Sequence, residues 1–231
     1  AFNHMHIFID PSPDAEKSYV ERIRLFETPR TGWGDYNTKL ISKGGGIFER
    51  SAKSITLTDE IKAITGLEVD SVTPDELIRA LLLSEFELLW FGGIGTYVKA
   101  GEETNADVGD KANNALRVNG GELKVSIIGE GANLGVTQKG RIEFARKGGR
   151  INTDAIDNSA GVDSSDHEVN IKILLTEAIR QGELPVADRN ALLADMTDEV
   201  AEHVLRNNYK QTGALSMLEM SAADDLDAYG E

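Results

Sequence analysis

The apolar positions of this chain follow two rhythms. Near the start, Phe2, Met5, Ile7 and Ile9 alternate with polar residues and run into "DPSPD", which predicts a strand ending in a turn at Asp10. "PDAEKSYVERIRLF" then sets Tyr19, Val20, Ile23 and Phe26 at helical spacing behind an acidic start. "LTDEIKAITG" predicts a helix with Thr58 as N-cap and Gly66 as its stop, and "TPDELIRALLLSE" one opened by Thr73 and Pro74. "FELLWF" reads as a buried strand leading into "GGIGT", and "NADVGDKANNALRVNG" as a helix with a glycine stop. "ELKVSIIG" reads as a strand, "QKGRIEFARKGG" as a short helix and "RINTDAI" as a short strand. From Asn158 onward the spacing is helical, with Val169, Ile173, Leu174 and Ile179 on one face, and "ADRNALLADMTDEVAEHVLRNNY" and "ALSMLEMSAADDLDAY" add further helices.

Strands alternating with helices predict an α/β fold, with a parallel sheet covered on both sides over residues 1–157 and a helical C-terminal segment over 158–231. The stretch "ETPRTGWGDYNTKLISKGGGIFER" is rich in glycine and turn residues, and loops of that length are functional or disordered.

Composition narrows the classes of partner. The formal charge of −15 opposes binding to nucleic acid and to anionic membrane, both of which need cationic contacts. No cysteine is present, so disulfides, thiolate metal sites and thiol nucleophiles are excluded, which fits a reducing, cytoplasmic compartment. The longest apolar run, "LIRALLLSEFELLWF", is broken by Arg79, Glu85 and Glu87, well short of the ~20 residues a membrane helix needs. A chain that opens without Met and in mid-strand is expected to continue upstream.

Ligands of parallel sheets bind beyond the carboxyl ends of the strands. Three exits stand out: Asp10, residues 92–96 and residues 129–135. The strands ending at Asp10, Trp90 and Ile128 are therefore expected side by side with these ends together. "GEGANLG" has the form G-x-G-x-x-x-G, followed by Asp154 near the place of a ribose acid, and so imitates a phosphate fingerprint. The helix after it is short and interrupted by Gly140, and Glu130 inside the turn would repel phosphate. A plain tight turn and a ligand loop elsewhere in the crevice are the other readings. Asp10 suits ribose hydroxyls, yet Asp before Pro11 is also an ordinary turn former.

Other residues have a functional and a plain reading. His4 and His6 share a face, but no third metal ligand is evident. "SSDHE", residues 164–168, has the letters of a hydrolytic triad on consecutive helical positions that point in different directions. The unpaired amides of a helix start there, with Asn158, Ser159, Ser164 and Ser165, suit either a carboxylate ligand or ordinary capping. Trp33 and Trp90 suit ligand flanking or packing.

Taken together, "FNHMHIFIDPSPD", "KGGGIFERSAKSI", "LLWFGGIGTYVKA", "GEGANLGVTQKGRIEFA" and "GGRINTDAIDNSAGVDSSDHEVNIKILL" resemble the large NAD-specific glutamate dehydrogenases, from residue 2 to about residue 175. The resemblance implies a Rossmann-like, NAD-binding domain and the oxidative deamination of L-glutamate to 2-oxoglutarate and ammonia. "EGANLGVT" is similar to "EGANGPTT" of the small glutamate dehydrogenases, which implies that Asn133, with Gly131 and Ala132, lies by the nicotinamide. The resemblance likewise implies that Gly93, Ile94, Gly95 and Thr96 line the cofactor and that Asp10 is the ribose acid. "NSAGVDSS" is similar to "NAGGVTVS", which implies that Ser165 holds the substrate's side-chain carboxylate. The family's phosphate-binding glycine turn would precede Ala1, as would the substrate domain with its catalytic Lys and Asp. No catalytic residue and no metal ligand are assigned here. The Rossmann-like sheet is thus expected to lack its first β-α unit, the fragment alone to be inactive, and the full-length enzyme to be a homo-oligomer. The alternative is a non-catalytic assembly module that uses the acidic surface and helical tail.

Overall fold

The structure, a computed structural model, describes residues 1–225. Residues 226–231, which include the end of the last predicted helix, lie outside the described residues. The chain forms two compact units, one of Ala1–Gly129 with Leu134–Ile151 and one of Glu130–Asn133 with the chain from Asn152 onward.

The first unit is mixed α/β. It contains β1 (His6–Ile9), α1 (Ala15–Glu27), β2 (Gly46–Glu49), β3 (Ile55–Thr56), α2 (Asp59–Thr65), β4 (Ser71–Val72) and α3 (Pro74–Leu82). It continues with β5 (Leu88–Phe91), β6 (Val98–Lys99), α4 (Asn105–Val108), β7 (Val118–Asn119), β8 (Ile127–Glu130), α5 (Gln138–Arg146) and β9 (Arg150–Ile151). β5, β8 and β9 form a three-stranded sheet in that order, with β8 and β9 parallel. β6 and β7 are a second parallel pair, and β3 and β4 an antiparallel one.

The expected parallel neighbourhood of the three exit strands is corrected at β1. This strand pairs antiparallel with β2, from His6↔Glu49 to Ile9↔Gly46, and belongs to a different sheet from β5 and β8. Residues 1–5 do not extend it. Asn3 Oδ1 accepts hydrogen bonds from the N–H of Met5 (2.8 Å) and His6 (2.7 Å), an Asx turn that folds Phe2 back against Ile7. The alternation that predicted one long strand spans a turn.

The helix signals hold where capping chemistry is complete. Thr58 caps α2 and Gly66 ends it in the left-handed region (φ 71°). Thr73 and Glu76 form a capping box with Pro74 at the first turn of α3. The predicted helix from Asn105 stops earlier than its polar pattern suggests: α4 ends at Gly109 (φ 76°) and the chain has turned to strand by Val118. α5 runs straight through Gly140, which serves close packing. A Cβ on Gly120 would lie 2.5 Å from the Gly140 carbonyl oxygen, and one on Gly140 would lie 3.0 Å from the Lys99 carbonyl carbon. Glycines at both places let α5 approach the 120–122 turn and β6.

The core of this unit is a single cluster that includes Ile7, Ile61, Leu77, Ile78, Val98 and Ile128. α1 meets it unusually. Its predicted apolar stripe faces outward, with Tyr19 66% and Phe26 88% exposed, while Ser18 and Glu21 are buried. Glu21 explains the inversion. Its carboxylate accepts two hydrogen bonds from Arg24 (2.9 and 2.6 Å) and one from the Asn37 N–H (2.7 Å), and so holds the glycine-rich stretch in place. That stretch is ordered: Trp33 stacks on Phe8 at 4.5 Å and Tyr36 packs on the same ring at 4.8 Å. β5 is buried on one face only, since Leu88 and Trp90 are exposed while Phe91 is buried.

The second unit is helical, as the spacing predicts: α6 (Asp154–Asp157), α7 (Asp163–Arg180), α8 (Arg189–Asp195) and α9 (Thr197–Ser221). The predicted strand "RINTDAI" is two residues of β9 followed by α6, because Thr153 takes the N-cap position. Leu175 of α7 and Val204 of α9 are buried, whereas Val169, Ile173 and Leu174 are exposed. Asn208 of α9 ties the helices together by donating to the Ile156 carbonyl (2.7 Å) and to Ser159 Oγ (3.2 Å).

Candidate functional site

In the first unit, Asp10 lies half-buried at the exit of β1. Its Oδ1 accepts from the Ser42 backbone N–H (3.0 Å) and from the Ser42 hydroxyl (2.5 Å). Its Oδ2 is buried and has no hydrogen-bond partner. A buried carboxylate oxygen without a donor is costly to fold around, and Oδ2 keeps its full capacity to accept a hydrogen bond. A ribose hydroxyl is a donor that suits it.

The loop after β5 has two parts. Gly93 and Ile94 are exposed at its tip, Ile94 to 88%. Gly95 takes φ 125°, a conformation that side chains rarely adopt. Thr96 is buried, and its backbone is committed to the fold: its N–H donates to Asp110 Oδ2 (2.8 Å) and its carbonyl accepts from Arg117 Nε (2.8 Å). Although burial opposes it, hydrogen bonds from Asn113 and Thr96 and the nearby Arg117 guanidinium hold the Asp110 carboxyl below its ordinary value. Thr96 thus anchors the loop, and Gly93 and Ile94 are the members that face solvent.

In the second unit, the turn at Gly131, Ala132 and Asn133 is held from beneath. The Glu130 N–H donates to Asp157 Oδ2 (3.0 Å), and Asp157 Oδ1 accepts from Asn152 (3.2 Å). The Glu130 side chain is fully buried instead of projecting from the turn. Ala132 is buried and Asn133 exposed. Asn158 Nδ2 donates to Asn133 Oδ1, which orients the Asn133 carboxamide. The sequence marked Asn158 for a carboxylate ligand or ordinary capping at the helix start; its partnership with Asn133, across a separation of 25 residues, had no local signal.

Ser165 lies exposed in the first turn of α7. The amides there are not free: the N–H groups of Asp163 (2.9 Å) and Ser164 (3.2 Å) donate to the Ser159 carbonyl, and that of Asp166 to Val162 (3.0 Å). Asp163 and Asp166 also place negative charge in this turn. Ser165 thus adds an exposed hydroxyl to a helix start whose amides at Asp163, Ser164 and Asp166 are engaged. His167 turns to Asp163 (3.6 Å) and Asn207 (3.4 Å), which gives "SSDHE" a structural role. His6 pairs with Glu49 (3.1 Å), and the described residues contain no group of three or more His, Asp or Glu side chains suited to a metal ion. Trp33 packs on Phe8, whereas Trp90 is 58% exposed.

A family model described as bacterial NAD-glutamate dehydrogenase, catalytic domain, matches residues 1–218. The NAD-specific glutamate dehydrogenase of Halomonas elongata is 59% identical over 229 residues, which are 99% of this chain and 14% of that protein. The NAD-specific glutamate dehydrogenase of Pseudomonas aeruginosa is 60% identical over 99% of this chain and 14% of its own length. That of Mycobacterium tuberculosis is 51% identical over 98% of this chain, again 14% of its own length. The chain thus spans 14% of the length of these curated relatives.

Proposed function

This chain belongs to the bacterial NAD-glutamate dehydrogenase catalytic-domain family, and on that footing we propose that it is the nicotinamide-side part of an enzyme that oxidatively deaminates L-glutamate to 2-oxoglutarate and ammonia. In this reading residues 1–157 belong to a Rossmann-like nucleotide domain and residues 158–231 to a helical segment. When bound, NAD would supply the acceptor for the hydride leaving the substrate's α-carbon. The residues of this chain bind and orient. Asp10 accepts from a ribose hydroxyl, Gly93, Ile94 and Gly95 pass along the cofactor, and Thr96 fixes their loop. Gly131 and Ala132 let the chain approach the ring closely, while Asn133 donates to the nicotinamide carboxamide and so sets which face of the ring meets the substrate. Ser165 donates to the substrate's distal carboxylate. The proton and the α-amino group are handled by residues outside this chain, so residues 1–231 alone are inactive. The full-length enzyme acts in the cytoplasm as a homo-oligomer.

The observation that carries this reading is the high identity to relatives named NAD-specific glutamate dehydrogenases across nearly the whole chain. The orphan Oδ2 of Asp10 and the oriented amide of Asn133 support it. The test is spectrophotometric assay of the purified full-length enzyme with L-glutamate and either NAD or NADP. Reduction of NAD that depends on glutamate, with little reduction of NADP, is expected. Absence of glutamate-dependent reduction of either cofactor overturns the proposal.

A second reading, an assembly surface, is favoured by the outward apolar stripe of Tyr19, Val20 and Phe26 on α1. It is compatible with the first, since the stripe lies on α1 and not on the residues assigned to the cofactor.

A further inference from the structure

The glycine-rich stretch had no function in the sequence, and one of its residues is tied directly to Asp10. Ser42 contributes both donors that reach Asp10 Oδ1, its backbone N–H and its hydroxyl. The hydroxyl is itself oriented. Ser42 Oγ accepts from the Ser12 N–H (2.9 Å), so the hydroxyl proton is left to point at the carboxylate. The chain of bonds runs from the Ser12 amide through the Ser42 hydroxyl to Asp10.

The loop that carries Ser42 is seated too closely to be replaced by an arbitrary turn. A Cβ on Gly45 would lie 2.5 Å from the Ile9 carbonyl oxygen and 2.8 Å from Pro11 Cδ, so the backbone after Ser42 rests on the exit of β1. Gly44 takes φ 80°, and its carbonyl accepts from Thr58 Oγ1 (2.7 Å) at the start of α2. The loop is thus pinned on one side by α2 and on the other by β1, with Ser42 at the carboxylate. An exposed turn that merely connected two elements would need neither the close approach nor the double donation.

We propose that Ser42 is a positioning residue for cofactor binding: by saturating Asp10 Oδ1 it fixes the rotation of the carboxylate and leaves Oδ2 as the acceptor for a vicinal diol of the NAD ribose. The proposal rests on the assignment of Asp10 to the ribose. A carboxylate free to rotate loses torsional freedom when it binds a diol, and that cost weakens binding. Ser42 removes the freedom in advance. It also makes the diol contact lopsided, with Oδ2 as the principal acceptor instead of a symmetric pair of oxygens. The Ser42 hydroxyl acts only through Asp10, so its contribution must vanish when Asp10 is absent.

The test is a double-mutant cycle in the full-length enzyme, read as the equilibrium dissociation constant for NADH by fluorescence titration, with circular dichroism to confirm folding. Ser42→Ala is expected to weaken NADH binding about tenfold, the scale of one hydrogen bond to a charged group. The same change in an Asp10→Ala background is expected to have no effect. Wild-type affinity in Ser42→Ala, with Asp10→Ala weakened, overturns the role of Ser42 while leaving the ribose assignment intact. An equal loss from Ser42→Ala in both backgrounds also overturns it, because the hydroxyl would then act on the loop and not through Asp10. Wild-type affinity in Asp10→Ala overturns the ribose assignment itself, and the inference with it.

Discussion

The side-chain amide of Asn158 donates to Asn133 Oδ1, so one carboxamide of the second unit dictates the orientation of another. An exposed asparagine left alone can present either its oxygen or its nitrogen to a ligand. With the carboxamide oriented, Asn133 keeps its NH2 donors and one further acceptor site on the oxygen, which suits the contact proposed with the nicotinamide amide.

Asn133→Ala in the full-length enzyme should therefore lower kcat as well as raise the KM for NAD. The loss in kcat/KM should be on the order of a hundredfold, since small misplacements of reacting groups cost about that much. Asn158→Ala should change the same two constants in the same direction by less. Steady-state kinetics and melting temperatures decide the matter. Variants that melt earlier but keep wild-type kcat and KM would show that the pair only braces the turn.

Ser165 offers one hydroxyl in a turn whose neighbouring amides are already engaged and whose other charges are Asp163 and Asp166. Ser165→Ala should raise the KM for glutamate roughly tenfold or more, the value of a hydrogen bond to a charged group, with the KM for NAD unchanged. An unchanged glutamate KM removes Ser165 from the substrate site.

Glu21 predicts an acid response. Its hydrogen bonds from Arg24, then the Asn37 N–H and the Arg24 charge, outweigh burial and lower its pKa from 4.5 to about 2. A carboxyl whose folded pKa is depressed stabilises the fold above its unfolded value, and that contribution is lost as pH falls from 4.5 towards about 2. Glu21→Gln should cost about 1–3 kcal/mol at neutral pH, and the gap from wild type should close across that acid window. Thermal melts of both proteins across the pH range measure it; a gap that stays constant would assign the loss to something other than the charge.

Two glycines should respond to alanine with opposite signs. Gly120→Ala drives a methyl group into the Gly140 carbonyl and should destabilise by about 1–3 kcal/mol. Gly213 lies inside α9 with nothing within 4 Å of its Cβ position, so Gly213→Ala should stabilise by about 0.5–1 kcal/mol. Chemical denaturation of both variants, compared at equal m-value, checks the pair.

Elements were legible in the sequence where the cause is local. Thr58 and Gly66 bracket α2, and the capping box of Thr73 and Glu76 starts α3, because capping acts within four residues. Periodicity found α1 but carries no label for which face is buried, and here the apolar positions Tyr19, Val20 and Phe26 are the exposed ones. Glu21 is turned inward by a partner at Asn37, far along the chain. The pairing of β1 with β2 instead of β5 or β8 is equally non-local, and an apolar strand carries no label for its neighbour. For the candidate site, strand-exit and glycine signals marked Asp10 and the 92–96 and 129–135 stretches, and the resemblance to the small glutamate dehydrogenases singled out Asn133. The residues that hold them, Ser42, Asp110 and Asn158, lie 32, 14 and 25 residues away along the chain, beyond the reach of any local signal.

The stacking of Trp33 on Phe8 gives the protein a built-in optical reporter. The chain has two tryptophans, and their surroundings differ: Trp33 lies against Phe8 and Tyr36 with the Arg22 guanidinium 5.9 Å from its ring, whereas Trp90 is 58% exposed. Undocking of the glycine-rich stretch moves Trp33 into water and leaves Trp90 in its present surroundings. A red shift confined to one of two emitters then follows the carboxylate of Glu21 directly, and a Trp90→Phe background isolates the emission of Trp33.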